Sequence, residues 1–291
     1  MIEISDPQQM RAWSRAVRSS GQTVGFVATM GYLHEGHLHL IDRARERTDQ
    51  VVASIFVNPI QFGPQDDLLR YPRDLEHDRA AALQRGADCL FVPDESVMYP
   101  SPPLVRVAPG SLADHLCGPR RPGHFEGVLT VVIKLLHIVE PDVAVFGRKD
   151  AQQAVIIGRM VADLNVPTEI DVAPTLREAD GLAMSSRNVY LTEEERRAAP
   201  ALARGLDAAH RAFQSGTRDP EALIAAVRQC LAAEPEIDTE YVELVDQRSL
   251  QPVTSVTADA LLAAAVHLGS ARLIDNIILG EGTAADIRLK G

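Results

Sequence analysis

The first 180 residues alternate between continuous apolar runs and segments whose apolar residues recur every three or four positions. Continuous runs indicate strands buried on both faces of a parallel sheet, whereas the three-to-four spacing indicates helices. The predicted strands are TVGFVATM (23–30), VVASIFV (51–57), CLFV (89–92), VAVFG (143–147) and TEIDVAPTLR (168–177). The predicted helices cover residues 37–48, 74–85, 128–139 and 151–164. This alternation predicts a doubly wound α/β domain with a parallel sheet.

The pattern changes in the last third of the chain. Helical spacing covers residues 193–215 and 220–233, and EYVELVD (240–246) then predicts a strand. The segment LLAAAVHLGSARLIDNIIL (261–279) predicts a β-hairpin. We therefore expect an α/β domain over residues 1–180 and a smaller α+β domain over residues 181–291.

Composition and charge narrow the class of protein. The chain has 291 residues, 46% of them hydrophobic, which is enough for about two domains. Its formal charge of −11 disfavours a nucleic-acid partner, because phosphate binding needs clustered lysine and arginine. Neither a ~20-residue apolar span nor a signal peptide is evident, so we expect a cytoplasmic protein with no membrane partner. The three cysteines form no CxxC pair, which disfavours a disulfide framework or a cysteine-based zinc site.

The segment TMGYLHEGH (29–37) lies where the first predicted strand of the sheet passes into a helix. In an open parallel sheet, ligands bind beyond the carboxyl ends of strands, where a helix N-terminus presents N–H groups to an anion. If the helix begins near Glu35, His34 and His37 share one face of its first turn and can donate to phosphate oxygens. An equally weighted interpretation is that the histidines only cap the helix. The spacing does not match the HExxH pattern of zinc proteases.

Two further loops carry polar groups. Asn58-Pro59 signals a turn after the second of these strands, and Gln61 in that turn is suited to bind a small polar acid or alcohol. The alternative is a solvated loop glutamine. Arg121 and His124 lie in a Gly/Pro loop ahead of a predicted helix and are additional candidates for the site.

Charged and hydroxyl groups also follow the later strands. Lys149 and Asp150 come directly after VAVFG and a single arginine, where they can contact phosphate and ribose, although a helix-capping aspartate beside a solvated lysine is equally consistent. The loop AMSSRN (183–188) offers two hydroxyls, backbone N–H groups and a guanidinium. Such a loop suits a triphosphate.

Four segments together resemble the pantothenate synthetase (pantoate–β-alanine ligase) family. They are TMGYLHEGHLHLI, FVNPIQFGPQDDLLRYPRD, GHFEGVLTVVIKLLHIVEPDVAVFGRKDAQQ and PTLREADGLAMSSRNVYL. The match is dense from about residue 23 to residue 191, and EYVELVD and IDNIIL resemble the small carboxyl-terminal domain of the family. The resemblance implies a Rossmann-like nucleotidylyltransferase fold, with HEGH and MSSRN standing where related ATP-activating enzymes have HIGH and KMSKS. It also implies a homodimer that uses ATP and Mg²⁺.

The resemblance further implies a two-step reaction that joins (R)-pantoate to β-alanine, a step of coenzyme A biosynthesis. The pantoate carboxylate would attack the α-phosphorus of ATP, giving pantoyl adenylate and pyrophosphate. The β-alanine amine would then attack the activated carbonyl, giving pantothenate and AMP. Because the first step spreads negative charge over phosphate oxygens, positioned donors would accelerate it more than a protein nucleophile. The carboxyl-terminal domain would cover the active site.

Residue roles follow from the same resemblance. The catalytic residues would be His37, His34 and Lys149, with His37 the better proton donor. The ATP site would contain Met30, Gly31, Tyr32, Leu33, His34, Glu35, Gly36, His37, Gly147, Arg148, Lys149, Asp150, Leu176, Met184, Ser185, Ser186 and Arg187. Gln61 and Gln153 would bind pantoate, with Gln61 also reaching β-alanine, and Asn58, Arg121 and His124 are further candidates.

Departures from the family pattern fall on Ala28, Arg148 and Ala151, where proline, an acidic or neutral polar residue, and tyrosine are usual. Arg148 would add charge beside Lys149. The acidic residues near the site are interpreted as solvated loop and helix-start charges rather than metal ligands, so the ligands of the metal stay unknown and Mg²⁺ would arrive with ATP. These acidic residues are Asp66, Asp67, Asp74 and Asp78.

Three other functions share parts of this pattern. A nucleotidylyltransferase acting on a phosphorylated alcohol would need a second phosphate site, where this sequence offers two glutamines. An aminoacyl-tRNA synthetase relative is disfavoured by the acidic charge and by the lack of a long tRNA-binding extension. A non-catalytic nucleotide sensor would bind ATP without releasing pyrophosphate, and the two histidines with Lys149 disfavour it.

Overall fold

The computed structural model describes residues 1–64 and 66–289. Its strands are β1 Ile2–Ile4, β2 Val24–Thr29, β3 Gln50–Ile55, β4 Cys89–Phe91, β5 Val143–Gly147, β6 Glu169–Ala173, β7 Leu176–Arg177, β8 Ile237–Asp246, β9 Ala260–Leu268, β10 Ala271–Ile278 and β11 Ile287–Arg288. Its α-helices are α1 Pro7–Ser19, α2 Glu35–Arg47, α3 Leu75–Gln84, α4 Glu95–Met98, α5 His124–Val139, α6 Ala151–Asp163, α7 Glu193–Ala198, α8 Ala201–Gln214 and α9 Pro220–Ala232. Within this described part of the chain, no helix is long and apolar enough to cross a membrane.

The chain divides into two compact units that interleave along the sequence. The first unit contains residues 1–109, 121–148 and 156–173, and the second contains residues 110–120, 149–155 and 174–291. The predicted domain limits, 1–180 and 181–291, stay a prediction.

The first unit is built on a parallel sheet with the strand order β1-β4-β3-β2-β5-β6. From β2 the chain builds the sheet in one direction through β3 and β4, and it then returns to place β5 and β6 on the other side of β2. The predicted α/β class is therefore confirmed. The order reverses between β2 and β5, and a crevice outside the carboxyl ends of the strands is expected at such a reversal.

The predicted strands bury their apolar residues, as expected from the continuous apolar runs in the sequence. Val27, Val51, Leu90 and Val145 are each at most 1% exposed, and α2 packs Ile41 against this layer. α2 therefore covers one face of the sheet. This packing fixes the position of α2, and HEGH lies at its N-terminus.

The second unit contains an antiparallel sheet with the order β10-β9-β8. β9 and β10 form the predicted hairpin, with Leu268 opposite Ala271 next to its turn. Apolar residues of α8 and α9, including Leu206 and Leu223, are buried in one cluster with those of the sheet. A short parallel pair, β7 with β11, completes the unit in the described residues.

The structure differs from the predicted elements at several places, among them α4 and β11, which were not predicted. The helical pattern 193–215 is two helices, α7 and α8, which separate at Pro200 because proline cannot donate in a helix interior. The predicted strand 168–177 is two strands, with Pro174 between them. β1 and α1 were not predicted, although Asp6 and Pro7 form a regular helix start, in which the aspartate side chain accepts from the Gln9 N–H at 2.8 Å.

Candidate active site

The connection after β2 makes a tight turn in which Gly31 and Tyr32 have positive φ angles of 82° and 51°. The Asp78 carboxylate of α3 holds this turn by accepting from the Tyr32 N–H at 2.8 Å and from the Leu33 N–H at 2.6 Å. A Cβ at Gly31 would lie 2.9 Å from Asp78 Oδ2. Glycine at this position therefore allows both the φ angle and the close approach of the carboxylate.

Asp78 was expected to be a solvated helix-start charge, and this expectation is wrong. The residue is 1% exposed, and its two oxygens bind backbone rather than water. Burial raises the pKa of this carboxyl above its ordinary value, and the two N–H donors oppose the shift without reversing it. Asp74 does fit the expectation, because it caps α3 by accepting from the His77 N–H at 3.0 Å.

His34 and His37 together cap the N-terminus of α2. His34 Nδ1 accepts from the Gly36 N–H at 3.0 Å. His37 Nδ1 accepts from the His34 backbone N–H at 3.4 Å. Both histidines therefore cap the helix, and this capping is compatible with a second role. A neutral imidazole whose Nδ1 accepts carries its proton on Nε2, so each ring has an Nε2–H donor. The two ring centroids are 4.1 Å apart.

Arg121 and His124 anchor the backbone at Gln61. Arg121 Nη2 donates to Asp66 at 2.8 Å, and its Nη1 lies 3.0 Å from His124 Nε2. Because a guanidinium only donates, His124 accepts at Nε2 and donates through Nδ1 to the Gln61 carbonyl at 2.9 Å. Burial alone would raise the pKa of Asp66, but Arg121 and the Gly63 N–H lower it below its ordinary value. Asp66 is thus an ion-pair partner, and the expectation of a solvated charge is wrong here too.

The Gln61 side chain is held by a second set of contacts. Its Oε1 accepts from Asn58 Nδ2 at 2.9 Å, and its Nε2 lies 3.1 Å from Met30 Sδ. Asn58 Nδ2 also donates to the Gly127 carbonyl at 3.2 Å, and Asn58 Oδ1 accepts from the Tyr99 hydroxyl at 2.8 Å. The structure therefore brings three predicted residues, Asn58, Gln61 and Met30, together in one network, and it adds Tyr99.

The 3-10 turn that carries Gln61 packs closely on α5. A Cβ at Gly127 of this helix would lie 2.4 Å from the Ile60 carbonyl oxygen and 2.6 Å from Gln61 Cα. Backbone atoms cannot move aside as a flexible side chain can. The absence of a side chain at position 127 therefore sets how closely the turn approaches the helix.

Other predicted residues of the first unit lie at the end of β5 and at the start of α2. Gly147 ends β5, where an added Cβ would lie 3.9 Å from Leu40 Cδ2 of α2, and Arg148 follows it, half-buried. Glu35 opens α2 and forms an ion pair with Arg85. The carboxylate of Glu35 is therefore engaged by the protein.

In the second unit, Lys149 and Asp150 lie in a single turn that leads into α6. The Lys149 carbonyl accepts from Asn276 Nδ2 at 2.8 Å, so β10 holds the backbone of this turn. Gln153 is half-buried in the first turn of α6. Its neighbour Gln152 is buried and binds backbone, accepting from the Cys117 N–H at 2.9 Å.

The loop that contains AMSSRN folds back on β7. The Met184 N–H donates to the Leu176 carbonyl at 3.0 Å. Ser185 caps the short 3-10 helix that follows, with its hydroxyl accepting from the Arg187 N–H at 3.2 Å, and Ser186 is buried. The five predicted residues of this loop and strand therefore form one local structure.

Arg177, at the end of β7, is fully buried and was missed by the sequence analysis. Its guanidinium forms a two-pronged pair with Asp275, at 2.6 and 2.9 Å, and a third bond with Asp286 at 2.7 Å. It also donates to the Gly181 carbonyl at 3.1 Å. These contacts tie the loop that precedes AMSSRN to β10, the strand whose Asn276 holds Lys149.

A metal site built from protein side chains alone is not found in residues 1–64 and 66–289. No group of three or more histidine, cysteine, aspartate or glutamate side chains there can hold a metal ion. Asp66 and Asp78 are engaged by a guanidinium and by backbone N–H groups. The acidic residues near the site therefore contribute no protein cage for a cation.

Comparison with known proteins gives one consistent family. The family model described as pantoate–β-alanine ligase matches residues 3–278. The pantothenate synthetase of Pelotomaculum thermopropionicum is 53% identical over 281 residues, which are 97% of this chain and 100% of the relative. That of Geobacillus kaustophilus is 51% identical over 279 residues, 96% of this chain and 93% of the relative.

Solved structures agree with this match. The crystal structure of pantothenate synthetase from Thermus thermophilus has a TM-score of 0.90 and 45% sequence identity, covering 96% of this chain and 99% of that one. A pantoate–β-alanine ligase from Francisella tularensis, complexed with β-γ ATP and β-alanine, has a TM-score of 0.79 and 33% identity. It covers 96% of this chain and 98% of its own.

Proposed function

The chain belongs to the pantoate–β-alanine ligase family, and from that membership we propose that it condenses (R)-pantoate with β-alanine in an ATP-dependent reaction. The products are pantothenate, AMP and pyrophosphate. The observation that carries the proposal is the family match over residues 3–278, together with the paired histidines that open α2 beyond the carboxyl end of β2. The Francisella relative, whose crystal structure is a complex with β-γ ATP and β-alanine, supports the choice of substrates.

In the first step, a pantoate carboxylate oxygen forms a bond to the α-phosphorus while the bond to the β-phosphate oxygen breaks, and pyrophosphate leaves with that electron pair. His34 and His37 donate through Nε2–H to phosphate oxygens as charge develops on them. Their Nδ1 atoms are occupied by the helix cap, which fixes the tautomer that this role requires. His37 is the proton donor of the pair.

Lys149 and the loop that follows β7 hold the polyphosphate. Lys149 supplies a fixed cation, and the hydroxyls of Ser185 and Ser186 with the Arg187 guanidinium bind terminal phosphate oxygens. The resemblance to the family assigns further residues to the lining of the ATP site. They are Met30, Gly31, Tyr32, Leu33, Glu35, Gly36, Gly147, Arg148, Asp150, Leu176 and Met184.

Gln61 and Gln153 bind pantoate, and Gln61 also reaches β-alanine. In the second step the amine nitrogen attacks the acyl carbon, forms the amide bond, loses a proton and releases AMP. The role of Arg121 and His124 is to hold the Gln61 backbone, as their bonds to Asp66 and to the Gln61 carbonyl support.

Mg²⁺ enters as part of the substrate, in its complex with ATP. The described residues offer no cage of acidic side chains, and Mg²⁺ commonly binds through phosphates and retained waters. Bound there, the ion neutralises negative charge on the phosphates. Equilibrium dialysis with Mg²⁺ alone should give no tight binding, and ATP should be required for uptake of the ion.

We also propose that the chain works as a cytoplasmic homodimer, which the resemblance to the family implies. Light scattering of the purified protein should give about twice the mass of one chain, which is 31.7 kDa. A mass of one chain at micromolar concentration would reject the dimer.

The decisive experiment measures AMP formation with pantoate and β-alanine together and with each omitted. It also measures exchange of labelled pyrophosphate into ATP with pantoate but without β-alanine. Because the adenylate step is reversible, exchange should need no amine, and hydroxylamine should trap a pantoyl hydroxamate. Exchange that requires β-alanine would contradict the two-step mechanism.

Variants assign the roles in the same assays. Lys149→Ala should slow the exchange by about 100-fold or more, while Arg159→Ala, which removes an exposed cation from α6, should leave it unchanged.

His37→Ala should lower turnover by about 10² to 10⁴, with His137→Ala, at an exposed position, as its control. Gln61→Ala and Gln153→Ala should weaken the binding of pantoate more than the binding of ATP. Near-normal turnover of His37→Ala would reject its role as proton donor.

A further inference from the structure

The Gln61 amide has two ends of opposite hydrogen-bonding character, and its surroundings determine which end is held. Asn58 Nδ2 donates both to Gln61 Oε1 at 2.9 Å and to the Gly127 carbonyl at 3.2 Å. The Gly127 carbonyl can only accept, so the Asn58 atom that faces it must be the nitrogen. Gln61 must then turn its oxygen toward Asn58, which leaves Nε2 at the other end.

Tyr99 supplies the remaining bond of this arrangement. Its hydroxyl donates to Asn58 Oδ1 at 2.8 Å, and Asn58 is only 1% exposed, so this oxygen depends on a protein donor. The Tyr99 hydroxyl is protonated at neutral pH because the ordinary pKa of tyrosine is about 10, and burial raises the pKa further. The ring lies under Lys134 Nζ, 5.4 Å from its centroid, and 6.1 Å from the Phe56 ring centroid.

We propose that Tyr99 is a positioning residue that acts through Asn58 to keep the NH₂ end of Gln61 directed toward the acid substrate. The inference rests on the proposed function, in which Gln61 binds pantoate. Gln61 Nε2 lies 3.1 Å from the Met30 sulfur, which is a weak acceptor that a carboxylate oxygen can displace. An amide turned the other way would present Oε1 to that carboxylate and repel it.

The first test replaces Tyr99 with phenylalanine, which retains the ring and removes the donor. In Tyr99→Phe the KM for pantoate should rise by about tenfold, because the Asn58 amide loses one of the bonds that fix it. The KM for ATP should stay unchanged. The control is Tyr241→Phe, since Tyr241 is a buried phenol that belongs to β8 rather than to this network. An unchanged KM for pantoate, or an equal rise for ATP, would overturn the inference.

The second test reverses the polarity of the network with an isosteric change. In Asn58→Asp both side-chain oxygens accept, so Gln61 should be held through Nε2 and should present Oε1 to the substrate. The kcat/KM for pantoate should fall by at least about 100-fold. The primary amide of pantoate, tested as a competitive inhibitor, should gain affinity relative to pantoate. Equal losses for acid and amide would show a general defect and would overturn the inference.

The third test combines the changes. If Tyr99 acts only through Asn58, adding Tyr99→Phe to Asn58→Asp should change the KM for pantoate by less than about twofold, because the pair is coupled. Additive effects would show that Tyr99 acts by another route. Melting temperatures of all variants separate these effects from loss of fold.

Failure of the inference and failure of the proposed function are distinguishable. Without pantoate-dependent pyrophosphate exchange in the unaltered protein, the proposed function fails. With normal exchange and an unchanged Tyr99→Phe variant, the function stands and the role of Tyr99 is rejected.

Discussion

Two buried polar clusters hold candidate site residues, and they use different physical means. The amide relay of the first unit consists of Tyr99, Asn58 and Gln61 and contains no charge. The Arg177 cluster of the second unit consists of Arg177, Asp275 and Asp286 and is fully ionic. Asn58 and the ionic cluster are shielded from water, yet the relay orients a single side chain and the ionic cluster joins β7, β10 and the segment before β11.

The difference follows from the cost of burial. A neutral amide can be buried once each donor and acceptor is matched, and each bond adds about 1 kcal/mol. A buried charge demands a close counter-charge, and its loss leaves an uncompensated ion. Burial lowers the pKa of the Arg177 guanidinium, but the two carboxylates outweigh it and raise the pKa overall. The ionic cluster should therefore dominate stability, and the relay should dominate substrate preference.

The largest effect is expected at the ionic cluster. Arg177→Met should lower the free energy of unfolding by about 3–5 kcal/mol, because Asp275 and Asp286 keep their charges in a buried site. Urea unfolding at neutral pH measures the loss. Arg196→Met is the matched control, since Arg196 also pairs with two carboxylates, Glu178 and Asp180, but is 34% exposed and should cost only about 0–1 kcal/mol. Similar losses at both positions would remove burial as the cause.

An intermediate effect is expected where α5 meets the turn of Gln61. Gly127→Ala should destabilise by about 1–3 kcal/mol and raise the KM for pantoate, because its Cβ would meet backbone at 2.4 Å. Gly158→Ala in α6 has open space around its Cβ and should stabilise by about 0.5–1 kcal/mol. Opposite signs in thermal unfolding would support the packing argument. A neutral Gly127→Ala variant would disprove the close approach.

The smallest effect is a contrast in pH dependence between two carboxylates of the first unit. The folded pKa of Asp66 is lowered, so its contribution to stability is present above the unfolded value of about 3.9 and is lost as pH falls through the folded pKa. The folded pKa of Asp78 is raised, so its contribution is present below about 3.9 and is lost as pH rises through the folded pKa.

The two asparagine variants should therefore change the acid stability profile in opposite ways. Asp66→Asn should reduce the slope with which the free energy of unfolding falls below about pH 4. Asp78→Asn should increase the slope with which it rises above about pH 4. Each slope should change by at most about 1.4 kcal/mol per pH unit. Urea unfolding at a series of pH values gives both slopes. Parallel slopes in the two variants would contradict the assigned shifts.

The sequence was most informative where local pattern determines structure. The continuous apolar runs predicted the strands of the parallel sheet, because burial on both faces leaves no polar alternation. The HEGH segment predicted a helix start with two histidines on one turn, and both histidines do cap α2. Asp6 and Pro7 form an equally local helix-start pattern, from which α1 could have been predicted.

Residues that act over long sequence separations could not be predicted in this way. Asp78 binds the N–H groups of residues 32 and 33, which lie 46 and 45 positions earlier. An aspartate in the first turn of a helix has the same local pattern whether it is solvated or buried. Tyr99 likewise contacts Asn58 from 41 positions away. Only the packing of the fold distinguishes Gln152, which binds backbone, from its neighbour Gln153.

The Arg177 cluster also sets how early this part of the second unit can fold during synthesis. Asp275 and Asp286 follow Arg177 by 98 and 109 positions, so a ribosome adding about 5–20 residues per second makes the second carboxylate about 5–20 s after the arginine. In that interval the nascent chain carries Arg177 without its two carboxylate partners. The parallel sheet has all of its strands by residue 173, whereas β10 and the segment before β11, which hold Arg177, are translated last.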